Sequence, residues 1–293
     1  MIGITGGSGK TGRPLVKMLK EKGRPFRALA HSDASAKFLK SMGAEVVQGS
    51  IEDPAVVAEF MAGVDQLYLL TPMQPDNCEI EKMVIDKAVE AEVEGIVKIS
   101  VYTKEQYAAS CFCVWHWHNE EYLKKCGIPY TVLHPHTFFE TISLSFAKQI
   151  RSEGRMTAAV QPDRGLTLVS AEDVGEVAAM LLMRGNQKNE TLLLTGSQAV
   201  TFAQCAEMIG ERLGKTIAYQ ELSPDDMHAV FVSQGFPEFL ARGIVGVHIM
   251  YRMDSWPCAP VSTSIQDITG HPPRTFSDFL DENIGDFGGG MAA

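Results

Sequence analysis

The chain has 293 residues, 26 Lys and Arg against 36 Asp and Glu, a formal charge of −10, and 45% hydrophobic residues. That length accommodates one large α/β domain or two small ones with a substantial core. The acidic balance disfavours broad electrostatic binding to nucleic acid or to an anionic membrane. The longest apolar runs, such as Leu67-Tyr68-Leu69-Leu70, fall far short of the ~20 residues that span a bilayer. Six cysteines, none in a CxxC pair, do not form a disulfide framework. The start of the chain reads directly as a strand, without a basic-then-apolar leader. The composition is that of a reduced, cytoplasmic protein.

In chain order, residues 1–5 read as a strand. Glycines follow, then a helix over 10–22 with Leu15, Met18 and Leu19 on one face. Pro14 is tolerated only in a first turn, which sets that helix start near Lys10. Strands over 26–30 and 45–48 flank a helix over 35–42. A helix over 54–61, a strand over 66–70 and a helix over 79–91 come next, the last with Ile80, Met83, Val84, Ala88 and Ala91 at helical spacing. Strands over 95–100 and 130–133 enclose a helix over 117–125. Alternation of this kind implies parallel pairing, because parallel neighbours need a crossover. The near-continuous apolar strands suit a sheet covered on both faces.

The second half is less regular. A helix over 171–183 is capped by Ser170, followed by a strand over 191–194, a helix over 202–213 and a strand over 217–220. Helices over 227–233, 237–251 and 276–283 complete the chain. The expected fold class is α/β: a Rossmann-type doubly wound parallel sheet over 1–155, with a smaller, mostly helical region over 156–286. That region partly completes the sheet and partly covers a substrate cleft, and 287–293 is expected to be a disordered tail.

Thr5-Gly6-Gly7-Ser8-Gly9-Lys10-Thr11-Gly12 places Gly6, Gly9 and Gly12 three residues apart between a strand and a helix. In GxxGxxG the first glycine permits the tight turn and the second admits a pyrophosphate to the backbone N–H groups. The third lets helix and strand pack closely, and the helix N-terminus favours the negative charge. A P-loop needs G-x-x-x-x-G-K-[ST]; Gly9-Lys10-Thr11 supplies its end, but position 4 is Ile4. Lys10 and Thr11 are therefore assigned with the three glycines to a dinucleotide.

At the end of the second strand an acid selects NAD through the ribose 2′-hydroxyl, whereas a basic residue accommodates the 2′-phosphate of NADP. His31 stands just past that strand, with Ser32 beside it and Lys37 a turn into the next helix. Donors outnumber acids, which favours NADP(H); Asp33 keeps NAD(H) open.

These residues resemble the NmrA-like family of atypical short-chain dehydrogenases/reductases. The likeness rests on the glycine loop, Phe26-Arg27-Ala28-Leu29-Ala30-His31, Leu70-Thr71-Pro72 and Ile96-Val97-Lys98-Ile99-Ser100. It continues through Trp115-His116 before Glu120-Glu121-Tyr122-Leu123, Ile128-Pro129-Tyr130-Thr131-Val132-Leu133-His134-Pro135, Val169-Ser170-Ala171-Glu172-Asp173-Val174 and Gly270-His271-Pro272-Pro273-Arg274-Thr275-Phe276. The resemblance implies a Rossmann domain that binds NAD(P) beside a smaller region forming a cleft. Its members include quinone and azo-dye reductases and catalytically silent sensors of the nicotinamide pool. By position it implies that Gly6, Gly9 and Gly12 hold pyrophosphate and that His31 meets the adenosine ribose. Leu70, Thr71 and Pro72 would border the ribose side, Ser100 and Val101 would lie under the nicotinamide, and Pro135, His136 and Thr137 near its carboxamide. His31 stands where NADP-binding members usually carry Arg.

Short-chain dehydrogenases of the common type use Tyr-x-x-x-Lys, the Lys lowering the Tyr pKa. The residues four after Tyr102, Tyr107, Tyr122 and Tyr130 are Gln106, Cys111, Cys126 and His134, and Tyr68, Tyr219 and Tyr251 lead to Pro72, Ser223 and Ser255. Hydride donation to a good acceptor remains, such as a quinone, azo or iminium group, for which the fold supplies mainly orientation. Tyr102 and His136 are the candidate proton donors. Cys111-Phe112-Cys113-Val114-Trp115-His116-Trp117-His118 offers a zinc ligand set at the wrong spacing, so no metal is assigned. Phe112, Trp115 and Trp117 wall the cleft or pack in the core, with the cleft preferred. Phe138, Met227 and Phe231 are grouped with them around a small aromatic substrate, although the helical spacing of Met227 and Phe231 is more often that of core residues. The reading is an NADPH-dependent reductase of aromatic or quinonoid acceptors. Its alternative is a non-catalytic NAD(P) sensor with a protein partner.

Overall fold

Short apolar strands joined by amphipathic helices can satisfy their backbones only in a parallel sheet with helices on its faces. The structure, a computed structural model, describes residues 1–102, 109–256, 258 and 260–289. Strands β1 (Ile2–Ile4), β2 (Phe26–Ala30), β3 (Glu45–Gln48), β4 (Gln66–Leu69), β5 (Gly95–Ile99) and β6 (Tyr130–Pro135) alternate with helices α1 (Gly12–Glu21), α2 (Asp33–Ser41), α3 (Pro54–Met61), α4 (Asn77–Glu90) and α5 (Cys111–Leu123). Beyond them lie α6 (Phe139–Glu153), β7 (Arg155–Ala158), β8 (Gly165–Leu166), α7 (Ala171–Arg184), β9 (Glu190–Leu194) and β10 (Val200–Thr201). The chain ends with α8 (Phe202–Leu213), β11 (Ala218–Glu221), α9 (Pro224–Ser233), α10 (Glu238–Arg252), α11 (Ser264–Thr269), α12 (Phe276–Asn283) and a 3-10 turn over Ile284–Phe287.

The main sheet has seven strands in the order β3-β2-β1-β4-β5-β6-β9, every pair parallel. Alternation along the strands divides the core. Leu67, Leu69, Ile96 and Val132 pack with Phe60 of α3, Val84 of α4 and Leu123 of α5. Tyr68, Val97 and Leu133 face the other way, onto Leu15 of α1, Leu39 of α2 and Val177 of α7. This is the doubly wound arrangement expected, with the strand order reversing between β1 and β4, where such sheets bind ligands. β9 is the contribution of the second half to the sheet. The remainder forms the pairs β10-β8 and β11-β7 over a separate core that includes Phe139, Phe146, Phe202 and Leu280.

β7, β8, β10 and α11 have no counterpart in the predicted elements, and three helices show further departures. α1 begins at Gly12, not Lys10, because residues 5–11 are spent on the turn that leaves β1. α5 begins at Cys111 rather than at 117: its first turns are aromatic and cysteine-rich, with little amphipathic contrast, and are held by tertiary contacts. α6 went unassigned, although Ile142, Phe146 and Ile150 sit at four-residue spacing on its buried side. At the C-terminus Phe287, expected in the tail, is fully buried, and residues 290–293 lie outside the described residues. Among the described residues, no helix is long and apolar enough to cross a membrane.

Two of the segments that carry the family resemblance join each other. The Arg274 amide donates to Asp173 Oδ2 at 2.8 Å, and the Arg274 guanidinium pairs with Glu172 at 2.7 Å. Burial dominates over these donors and pushes the Asp173 carboxyl up to about 6. The folded state therefore holds this proton more tightly than the unfolded chain does. Its contribution to stability is full below the ordinary Asp value and is lost as pH rises through about 6. Asp173→Asn is expected to flatten that loss, roughly 3 kcal/mol between pH 4 and pH 7.5, as read from urea midpoints at the two pH values.

Candidate active site

The glycine loop occupies the reversal between β1 and β4. The Gly9 amide donates to Gly6 O at 2.9 Å, closing a turn in which Gly6 has φ +68°, and the Arg13 amide donates to Gly9 O at 2.9 Å. The second and third glycines meet different surroundings. A Cβ on Gly12 would lie 2.2 Å from Gly6 O and 2.6 Å from Gly7 Cα, both backbone atoms. A Cβ on Gly9 would meet only Gly6 O, at 3.2 Å, and would otherwise enter open space. Gly12 is thus demanded by packing, while Gly9 leaves a cradle that a side chain would fill. That pattern fits a phosphate group seated on the loop.

Several side chains assigned to the cofactor are engaged within the protein. Thr11 shares a buried 2.7 Å hydrogen bond with the Tyr68 hydroxyl. Ser32 caps α2, accepting from the Ser35 amide. Thr71 donates to Glu81 Oε2 at 2.7 Å, and the Ser100 hydroxyl donates to Glu120. Thr137 bonds the Tyr251 hydroxyl, and Lys10 Nζ donates to Glu140 O on α6 at 3.1 Å. Gly9, Leu70 and Pro72 keep partly or fully exposed surface. At the end of β2, His31 and Lys37 are exposed, and Asp33 accepts from Gln48 Nε2 at 2.7 Å. Arg13 joins this edge unanticipated: its guanidinium lies 4.1 Å from the Phe38 ring centre, and its Nε donates to Ser8 O at 2.9 Å.

Under the ends of β4, β5 and β6 lies a buried polar network. Lys98 on β5 pairs with Glu81 on α4, both essentially without solvent exposure. His134 on β6 meets Glu120 of α5 at 2.7 Å. Burial pushes the Glu120 carboxyl up, but the hydrogen bond and charge of His134, with Ser100 and Lys98, outweigh it and hold it below the ordinary range. Burial, then the charges of Lys98 and His134, drives His116 well below the usual imidazole value.

Beyond the strand ends opens a cavity of about 290 Å³. Val101, Tyr102, Pro135, His136, Thr137 and Phe138 form its sheet side, and Phe112 and Cys113 of α5 another wall. Thr141 and Phe146 of α6, Phe202 of α8, Leu240, Ile244, Val247, His248 and Tyr251 of α10, and Trp256 close it. α10 can lie this close because Gly246 faces the Ala109 backbone; a Cβ there would lie 2.2 Å from Ala109 O. Tyr102 stands 6.2 Å from His136 and 5.1 Å from Trp256, ring centre to ring centre.

The structure brings Tyr102, His136, Val101, Pro135, Thr137, Phe112 and Phe138 together around this cavity. It does not bring the other four cleft candidates there. Met227 and Phe231 are buried in a satellite core with Ala159, Ala241 and Val245. Trp115 packs at a tilt against Phe112 at 5.9 Å and against Phe239 at 6.5 Å, and Trp117 meets His118 edge-on at 4.8 Å. The helix rotates 111–118 so that Cys113 faces the cavity and His116 the buried network. Cys111 instead points to Phe239 O. Tyr107 lies outside the described residues. Leu240, Ile244, Val247 and His248 went unassigned, although 240, 244, 247 and 251 form a helical stripe that carries His248 with it.

The profile of the NmrA-like family matches residues 1–252. The NAD(P)H azoreductase of Xenophilus azovorans is 25% identical over 98% of this chain and 99% of its own. The crystal structure of the NADPH-dependent quinone oxidoreductase of Escherichia coli, complexed with NADPH, superposes with a TM-score of 0.82 at 25% identity, covering 96% of this chain and 99% of that one. A negative transcriptional regulator, NmrA in complex with NAD, shares the fold at 17% identity and a TM-score of 0.80, over 97% of this chain and 95% of its own.

Proposed function

The chain belongs to the NmrA-like family, and from that premise we propose that it is a reductase of aromatic or quinonoid acceptors that uses NADPH. The observation that carries this reading is the apolar cavity at the ends of β5 and β6, beside a glycine loop whose middle glycine is left open. Names of relatives that act on azo compounds and quinones support it.

The backbone of Gly6, Gly9 and Gly12 would hold the pyrophosphate, and Leu70, Pro72, Val101 and Pro135 the nicotinamide half. NADPH is favoured over NADH because Asp33 is engaged by Gln48 while His31, Lys37 and Arg13 remain at the 2′ edge. Bound there, the reduced nicotinamide supplies the hydride. The chain's own residues orient the acceptor: Phe112, Phe138 and Trp256 enclose its ring and exclude water. Tyr102 is the hydroxyl available to return a proton at the strand end. His136, packed 6.2 Å from both Tyr102 and Tyr251, fixes that wall.

Purified protein is expected to quench its tryptophan fluorescence on titration with NADPH at micromolar concentrations, and less strongly with NADH. It should consume NADPH with at least one acceptor from a quinone, azo-dye and iminium panel. Binding without turnover across the panel refutes the reductase reading and leaves the non-catalytic sensor.

A further inference from the structure

α10 carries one polar ring into the apolar cavity. His248 is 5% exposed and lines the cavity, with Phe202 and Phe231 at 6.3 Å and Tyr251 at 6.5 Å from its ring centre. The Ala159 amide, just past β7, donates to His248 Nδ1 at 3.4 Å. Ala159 is fully buried, and a buried N–H needs an acceptor. An N–H can be accepted only by an unprotonated ring nitrogen, so the proton of the neutral imidazole sits on Nε2. Burial holds the ring neutral, pushing its pKa down to about 4. Among the described residues none bonds Nε2, and the cavity is the space His248 borders.

The position of this donor matters as much as its tautomer. From the strand ends, rings run along one wall: His136 to Tyr251 at 6.2 Å, then Tyr251 to His248 at 6.5 Å. The Tyr251 hydroxyl is occupied by Thr137. His248 is therefore reached from the edge where the hydride would arrive through two successive ring contacts, and it stands on α10 rather than on the sheet.

We propose that His248 is a specificity-determining residue that donates an Nε2–H hydrogen bond to a second acceptor atom of the substrate, selecting aromatic compounds with acceptors at opposite ends, as in a para-quinone. This rests on the reading of the cavity as the acceptor site and names the substrate class within it. No bond is made or broken by His248; it orients the ring and stabilises charge on the remote oxygen.

The test uses the full chain, 1,4-naphthoquinone and naphthalene as probes, and equilibrium binding in the presence of NADP⁺, where no reduction occurs. Wild-type protein should prefer the quinone. His248→Asn keeps an acceptor for the Ala159 amide but cannot reach with a donor; it should weaken quinone binding about 3- to 10-fold and change naphthalene binding less than about 2-fold. His248→Gln, which carries an amide donor farther out, should recover part of the loss. Long-range 1H–15N spectra of histidine-labelled protein should report the Nε2–H tautomer and shift that resonance on adding the quinone. Equal losses for both probes, or an Nδ1–H tautomer, overturn the proposal. If wild type oxidises NADPH with quinones while His248→Asn binds them normally, the proposal fails and the reductase reading stands. If quinone binding depends on His248 but no acceptor is reduced, the reverse holds.

Discussion

Gly9→Ala is expected to leave the fold essentially intact and to weaken NADPH binding about 10-fold or more, whereas Gly12→Ala is expected to lose both. The two positions belong to one motif, yet the surroundings of the added methyl differ. At Gly9 the methyl meets a single oxygen at 3.2 Å, a crowding that a shift of a few tenths of an ångström relieves. The rest of it occupies the space a phosphate needs. At Gly12 the methyl would sit 2.2 Å from Gly6 O and 2.6 Å from Gly7 Cα, and backbone atoms cannot rotate away. The first turn of α1 would have to separate from the loop, and overpacking of that kind costs about 3 kcal/mol. Urea midpoints and fluorescence titration with NADPH distinguish the two. Wild-type affinity in Gly9→Ala would place the dinucleotide somewhere other than this loop. A normal midpoint in Gly12→Ala would mean that the loop has a second stable conformation.

The glycine loop was legible in the sequence because its requirement is local: turn, approach and packing are set by three residues within seven positions. The ends of β5 and β6 were legible for a related reason, since a parallel strand's C-terminus is where such a sheet meets its ligand. The far wall was not. It is assembled from α6, α8 and α10, and whether an apolar helical residue faces a cavity or a core depends on the helix's rotation. Met227 and Phe231 have the same spacing as Ile244 and His248, but α9 turns them into a satellite core. The internal bonding of the hydroxyls was equally hidden. Thr11, Ser32, Thr71, Ser100 and Thr137 stand where the chain order puts the cofactor, and each hydroxyl is also bonded within the protein. At the end of β2 the exposed His31 and Lys37, with Arg13 over Phe38, make a small cationic edge. In a chain of charge −10 that small cationic edge is the local exception that a polyanionic cofactor requires.

The largest effect on stability is expected at the ion pair beneath the crevice. Lys98 and Glu81 have side-chain exposures of 0% and 1%, so removing either charge strands the other where water cannot reach it. Lys98→Met or Glu81→Gln alone should cost about 3–5 kcal/mol. In the double variant neither charge remains, and the amide oxygen at position 81 still accepts from the Thr71 hydroxyl, as the Glu81 carboxylate does at 2.7 Å. Methionine fills most of the lysine's volume in a strand otherwise apolar. The double variant should therefore be more stable than either single one, with a coupling of at least about 2 kcal/mol in a cycle read from urea midpoints. The consequence reaches the crevice because Asn77 Nδ2 donates to both the Thr71 hydroxyl and the Pro72 carbonyl, at 2.9 and 2.6 Å, while Asn77 Oδ1 accepts from Asn119 Nδ2 of α5. Thr71 and Pro72 follow β4, and Lys98 lies in β5, so the pair fixes the spacing of two strand ends between which the nicotinamide would lie. Single variants should accordingly lose NADPH affinity along with stability, and the double variant should regain both together. Independent recovery of stability alone would mean that the network holds the sheet without positioning its edge.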